Sequence, residues 1–346
     1  MSARVQVTVG QGAPLEIAIC LVEAARRAST EKWQLHFTHE TLSVLRETAF
    51  AAISELRERG CVQIHATATQ FSGLNLSSGS QRCEVINNTT DPFDICLTFL
   101  QSVGASIETV TEIQALRKQR HTIVTQTQAH AAILIGTGPS LSEINLNDYN
   151  QALTFGCNKL FLLPYKFYPT HYVFEDRVVT EDIFSEQRDF GSATLWLPHD
   201  LSHLTTRGIR YCLDRTVTSF PAFSTSDSIA YSGWTVMYIM LQMAFWMGVR
   251  EVFLVGVDGA CREPPHNGMG VVRTSCGNDQ NHFTADYYGS GSRYQRPATE
   301  RVLESYELAN EVFKKANRSI VNCSKGTHIE CFVKGNLPAP EYFHAT

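Results

Sequence analysis

AAILIGTGPSLS, residues 131–142, decides how the rest of the chain is read. Ala132 to Ile135 form an unbroken apolar run, the pattern of a parallel strand covered on both faces. Gly136 and Gly138 follow, residues that open backbone angles closed to others and let a ligand approach the main chain. Pro139 suits a first helical position, and Ser140 or Ser142 can cap the helix. Free N–H groups at such a start favour an anion, often a phosphate. A nucleotide pocket and an ordinary strand-to-helix turn are both open from these twelve residues alone.

The chain on either side narrows the choice. Asn158, directly after the next strand (Ala152–Cys157), is a neutral amide where a nicotinamide site carries an acid for the ribose. Leu141 stands where the third fingerprint glycine belongs, so NAD is disfavoured. A Walker loop is disfavoured too, because no Gly-Lys-Ser/Thr follows the turn. Thr170–Phe174 reads as a third strand, ending in Glu175-Asp176-Arg177. Carboxylates at the carboxyl end of a strand sit where open α/β sheets bind ligands, here a metal or a sugar hydroxyl. Ala193–Leu197 is a further short strand.

Ser232-Gly233 precede the best-marked helix, Thr235–Met247, which is apolar nearly all round and so predicted to be central. These small residues repeat the opening turn, placing backbone N–H groups toward a ligand. Met237, Met240, Met243 and Met247 on that helix read as core filler. Val252–Val257 is a buried strand running into Asp258. Arg262–Gln280 lacks periodicity and is expected to be a long binding loop or lid. It leads to His282, suited to general-base work near neutral pH. Tyr287 and Tyr288 can donate to a leaving phosphate, and Arg293 and Arg296 can neutralise one. Ala298–Lys315 is an amphipathic helix and Ser319–Asn322 a final strand.

Before this region the chain reads as a smaller α/β unit. Strands are expected at 4–9, Trp33–Phe37 and Val62–Ala66, and helices at Leu15–Ala28, His39–Arg59, Phe93–Val103 and Ile107–Lys118. Phe71–Thr90 is expected to be a loop or irregular hairpin. His36, His39 and His65 are scattered and read as surface or core residues, and His199, Asp200 and His203 lack a metal spacing. The polar run Arg117–His130 marks the boundary. The expected architecture is thus an N-terminal α/β domain at 1–122 and, at 123–346, a Rossmann-like, mostly parallel sheet flanked by helices.

With 34 acidic against 29 basic residues, the net charge of -5 gives no footprint for nucleic acid. None of the ten cysteines forms a C-x-x-C pair, which argues against a zinc ribbon and for a reducing, cytoplasmic setting. The first residues lack a signal-peptide core, and Val236–Met247 is too short to span a bilayer. Peripheral membrane association stays open.

GTGPSL (136–141), GCNKL (156–160), YVFED (172–176), SGWTV (232–236), GVREVFLVGVD (248–258) and NHFTADYYG (281–289), in this order, resemble a bacterial family related to the Cst-type sialyltransferases. That family includes the motility accessory factor flagellin glycosyltransferases and, more distantly, the archaeal 6-hydroxymethylpterin diphosphokinases. The resemblance covers Ala131–Phe332. It implies transfer of an acidic, sialic-acid-like sugar from a CMP-activated donor to a glycan, lipid or protein hydroxyl, with inversion and no cofactor. Gly136, Thr137, Gly138, Ser140, Asn158, Ser232, Gly233 and Asp258 would line the nucleotide site, and Glu175, Asp176 and Arg293 the substrate. His282 would be the base, with Tyr287 and Tyr288 at the leaving group. It also makes a homo-oligomer plausible.

This chain departs from that pattern in three places. Thr137 replaces an Asn between the glycines, no tyrosine follows Asp258, and Glu175-Asp176 replace an Asn. Glu175, Asp176 and Asp258 would suit Mg²⁺ and a triphosphate, as a pterin-type diphosphokinase requires. A nucleotide-binding module without catalysis is the third reading.

Overall fold

The computed structural model describes four N-terminal strands and Ile107–His344, apart from residues 199–200, 202–203, 215–219, 228, 260–271 and 296–297. The chain divides into two compact units. One is Met1–Arg120 with His199–Leu201 and Arg210–Thr218; the other is His121–Pro198 with Ser202–Ile209 and Ser219–Thr346.

In the first unit β1 (Val5–Val9), β2 (Trp33–Thr38), β3 (Val62–Thr67) and β4 (Gln81–Glu84) form a four-stranded sheet in the order β3-β2-β1-β4. Every pairing is parallel. β4 lies within the expected loop or irregular hairpin, and its parallel pairing with β1 rules out a hairpin between those two strands. The helices expected at Leu15–Ala28, His39–Arg59 and Phe93–Val103 lie outside the described residues, as does His39. Helix α1 (Ile107–Gln126) runs well past Lys118, so most of the polar run read as a boundary is helix.

The second unit is built on β5 (Ala131–Ile135), whose five residues are all buried. β6 (Leu153–Cys157), β7 (His171–Val173) and β8 (Thr194–Pro198) extend the sheet on one side. On the other side stand β11 (Glu251–Val255), β14 (Ser319–Asn322) and β15 (Val333–Lys334). All of these pairings are parallel, and helices flank the sheet, so the Rossmann-like α/β class holds. Parallel strands need crossovers, and the crossovers put helices on the faces.

Helix α3 (Val236–Trp246) explains its own composition: all its residues are buried, and it packs against β5, β6 and β7. Its one amide, Gln242, is fully enclosed and makes four hydrogen bonds. Oε1 accepts from the N–H groups of Ser224 and Tyr231, and Nε2 donates to the carbonyls of Tyr231 and Tyr238. Helix α4 (Thr299–Lys315) buries Tyr306, Ala309 and Phe313 and packs on α3 and β14.

Four features differ from the sequence reading. Helix α2 (Arg177–Ser185) begins immediately after Glu175-Asp176. Strands β9 (Ile209–Asp214) and β10 (Ile229–Tyr231) follow β8 in the chain. Ser319–Asn322 is not the final strand, since β15 follows. Within the expected loop, β12 (Val272–Thr274) pairs antiparallel with β13 (Arg293–Gln295).

The turn after β5 and the end of β11 meet backbone to backbone. Gly136 N–H donates to Val255 O and Gly138 N–H to Gly256 O, each at 2.8 Å. Gly256 has φ +67°, and a Cβ there would lie 2.6 Å from Gly136 O. Gly248, at φ +79°, would meet nothing within 4 Å. Gly256→Ala is therefore expected to cost about 2–5 kcal/mol, from left-handed backbone plus overpacking, and Gly248→Ala only about 1–2. Urea unfolding midpoints measure both; equal losses would show that the close approach contributes nothing.

Candidate functional site

β5 is the first strand of its sheet, and the chain runs outward from it on one side before returning on the other. Open α/β sheets bind ligands at that turning point, beyond the carboxyl ends of the strands. A cavity of about 330 Å³ lies there, lined from the turns after β5, β6, β7 and β11 and from α3 and α4.

The first wall is Gly136-Thr137-Gly138. Gly138 is extended, φ -69° and ψ 166°, so it is not the backbone angle that needs glycine. A Cβ on Gly136 would overlap Gly256 O, and one on Gly138 the Asp258 carboxylate. The helix expected after the turn is a five-residue 3₁₀ segment, Pro139–Glu143. Gly138 occupies its cap position without a side-chain bond, so neither serine caps it, and Ser142 Oγ instead donates to Pro139 O. Ser140 is buried off the lining, and its N–H donates to Asp258 Oδ2 at 3.3 Å. An acceptor does sit at the helix start, as its free N–H groups demand, but it is the protein's own carboxylate. Burial, only partly offset by Ser140, raises the Asp258 pKa.

Asn158 lines the second wall at φ +49°, a conformation that asparagine tolerates. Its carbonyl accepts from Tyr172 Oη at 2.7 Å. Beside it the Cys157 thiol is pushed up to about 12 by burial and by Glu175, which leaves it unreactive. Glu175 and Asp176 both line the cavity. Glu175 is buried and accepts from Ser232 Oγ at 2.7 Å. Asp176 caps α2, accepting from Val179 N–H at 3.1 Å.

Ser232 and Gly233 do not line the cavity. A Cβ on Gly233 would strike the Tyr238 ring. The next residue does reach the cavity: Trp234 lines it with φ +62°, backbone strain of the kind found at binding sites. At the start of α3, Met237 N–H is satisfied by Thr235 Oγ1.

The last wall carries His282. Its Nδ1 lies 2.7 Å from Asp279 Oδ2, and its ring stacks flat on Tyr287 at 3.8 Å between centroids. Tyr288 meets it edge-on at 5.2 Å. Asp279 is almost enclosed, and Asn281 N–H donates to its other oxygen. Burial works to raise the Asp279 pKa, but hydrogen bonds from His282 and Asn281 prevail and hold it below the usual value. An ionised carboxylate only accepts, so the short contact puts the imidazole proton on Nδ1 and leaves Nε2 as the basic nitrogen. The segment is held to the sheet through Phe283 N–H to Thr137 O, and through Lys159 N–H to Tyr287 Oη.

The other expected residues are placed differently. Tyr287 is fully buried beneath His282 and does not line the cavity, so its hydroxyl is not at a ligand. Tyr288 does line it, stacked on Tyr294. Arg293 is off the lining and engaged by Asp182 and Glu181. Arg296, His199, Asp200 and His203 lie outside the described residues. Asp279, Trp234 and Tyr294 are among the lining residues that the sequence reading left out. For Asp279, its place three residues before His282 was the available signal.

Four carboxylates line the cavity, Glu175, Asp176, Asp258 and Asp279, and among the described residues no lysine or arginine does. Lys159 is buried, with its ammonium 5.4 Å from the Tyr288 ring centroid. Among the described residues no group of three His, Cys, Asp or Glu side chains could hold a metal ion, so Glu175, Asp176 and Asp258 do not form a ready Mg²⁺ site as they stand. No helix among them is long and apolar enough to cross a membrane.

Asp258 and Asp279 have opposite linkage signs. Asp258, raised in the folded state, makes stability fall as pH rises from 3.8 through its folded pKa. Asp279, depressed, adds stability above 3.8 that is lost as pH falls through its folded pKa. Asp258→Asn should remove the decline above 3.8 and leave the acid loss in place, read from urea midpoints across pH. A variant that keeps the wild-type decline would clear Asp258 of it. Compared with known proteins, the chain matches no family model and no curated protein.

Proposed function

We propose that this protein is a glycosyltransferase that moves a sugar from a nucleotide-activated donor to a hydroxyl acceptor, with His282 as general base. The observation that carries the reading is the Asp279–His282 contact at 2.7 Å on the wall of a cavity at the sheet's ligand edge. Nε2 takes the acceptor's proton as that oxygen attacks the anomeric carbon. The bond from that carbon to the phosphate oxygen breaks, and the nucleotide leaves with the electron pair. Attack opposite to departure inverts the centre.

The donor's identity rests on the resemblance to the Cst-type family, which points to a CMP-linked acidic sugar. Four lining carboxylates suit ribose and sugar hydroxyls better than a bare phosphate. Tyr288 is the remaining hydroxyl for the leaving group, since Tyr287 is enclosed. The acceptor is a glycan, lipid or protein hydroxyl.

The same acidic lining favours a second reading, the Mg²⁺-dependent diphosphokinase. It would need Glu175, Asp176 and Asp258 to close around the ion. Thermal shifts with CMP, and with ATP with and without Mg²⁺, separate the two. Stabilisation follows occupancy, about 2.7 kcal/mol at a hundredfold the Kd. A response to ATP only with Mg²⁺, and none to CMP, would overturn the glycosyltransferase.

His282→Ala should keep CMP binding and lower turnover on the order of 10²–10⁴-fold. Asp279→Asn should lower kcat within that range, leave KM nearly unchanged and alter the pH–rate profile, because the imidazole loses its fixed tautomer. Unchanged turnover in both variants would take the base role from His282.

A further inference from the structure

Trp234 is half-buried on the cavity wall and holds its place at φ +62°. An enclosed indole ordinarily packs on another ring or donates its N–H. Trp196 and Trp246 do so: Trp196 meets His171 edge-on and donates to its Nδ1, and Trp246 donates to Ser224 O. Among the described residues the Trp234 indole has neither a ring contact nor a hydrogen bond from its N–H. What the residue does have is a main-chain bond, its backbone N–H to Ser232 Oγ at 3.4 Å.

The same hydroxyl donates to Glu175 Oε1 at 2.7 Å, so Ser232 ties the strained tryptophan to a buried carboxylate of the lining. Several neighbours of that carboxylate are apolar. Burial, and with it the charge of Glu175, raises the Cys157 thiol and the Tyr306 phenol, so both stand within its reach. Val302 lies one turn before Tyr306 on α4 and lines the cavity with it. Trp234, Cys157, Val302 and Tyr306 thus form an apolar stretch of wall with a strong acceptor beside it. A sugar ring carries hydroxyls on all sides, and such a wall would leave some of them without a partner. A flat heterocycle has its polar groups only at the edge. A carboxylate only accepts, so the edge that meets it must donate.

We propose that Glu175 and Trp234 form a base subsite, which takes an amino-substituted nucleobase and rejects its oxo counterpart. The exocyclic amine of cytosine or adenine donates to Glu175 while the base stacks on Trp234. Uracil or hypoxanthine turns a carbonyl oxygen to the carboxylate instead, and two acceptors repel. The inference rests on the reading of the cavity as a nucleotide site. It gives Glu175 to the base rather than to the sugar.

Isothermal titration of the full chain with CMP, UMP, AMP and IMP tests it. In at least one pair the amino base should bind more tightly than its oxo partner, on the order of tenfold. Glu175→Gln should bring that ratio to about threefold or less, because an amide can offer either its oxygen or its N–H. Trp234→Ala should weaken both members of the pair alike, roughly tenfold, and keep their ratio. Circular dichroism checks that the variants are folded. If Glu175→Gln is not, Ser232→Ala, which frees the carboxylate from its anchor, should narrow the ratio in its place. A ratio that neither variant moves, or Trp234→Ala without effect, overturns the subsite, as does the lack of binding by all four at millimolar concentration. A preference for AMP over IMP without binding of CMP keeps the subsite and counts against the CMP-linked donor. Equal or reversed affinities in both pairs, with turnover still lost in His282→Ala, sink the subsite and leave the proposed function standing.

Discussion

The contact on which the larger unit depends is between two pieces of main chain. The turn after β5 and the turn after β11 cross with no side chain between them, joined by Gly136 N–H to Val255 O and Gly138 N–H to Gly256 O. A methyl group at Gly136, Gly138 or Gly256 would meet backbone or carboxylate atoms closer than real Cβ atoms come. This approach sets the floor of the cavity. It also places Asp258, two residues beyond Gly256, against the Ser140 N–H. A wider crossing would leave that N–H open to a ligand's anion, and this one fills it from within.

The wall that carries His282 is attached to the same floor. Phe283 N–H bonds the Thr137 carbonyl, between the two glycines. Tyr287 Oη accepts from the main chain just after Asn158, and Tyr287 offers its ring face to His282. The histidine is thus held from one side by a stacked ring and from another by Asp279, itself fixed by Asn281 N–H. Side chains held by such second contacts are what a general base needs, because small misplacements of a reacting group cost rate.

Periodicity and apolar runs show where the chain is continuous in character. β5 and β11 were legible because both faces are covered, and α3 because all its residues are buried. Helix α2 was missed because its N-terminal signal is Asp176, read as a ligand group when it is also a cap. β12 and β13 have three residues each, too few for an alternating pattern to register. At the site, Gly138 does not need glycine's backbone angles, and the demand that the structure adds for both Gly136 and Gly138, contact across the fold, is one that local sequence does not carry. Arg293 and Tyr287 were chosen for chemistry that each has already committed elsewhere, to Asp182 and to the Lys159 main chain. Cavity residues such as Trp234 and Tyr294 come from distant segments and carry no shared local pattern.

Under the proposed function, Asp258 also limits where a donor's phosphate can rest. Two like charges at about 4 Å repel by roughly 4 kcal/mol at intermediate dielectric. A phosphate oxygen seated at the Ser140 N–H would face that cost from Asp258, with Glu175 and Asp176 adding to it from the same lining. It can sit there only if Asp258 takes up a proton or a cation lies between. Burial already moves Asp258 toward the protonated form. Otherwise the proposed transfer puts the phosphate away from the glycine turn, and attack opposite to departure together with the ionised Asp279 keeps it off the His282 wall as well, so that the turn faces the ribose or the sugar. Under the proposed function the glycines then matter for how closely uncharged hydroxyls approach the main chain.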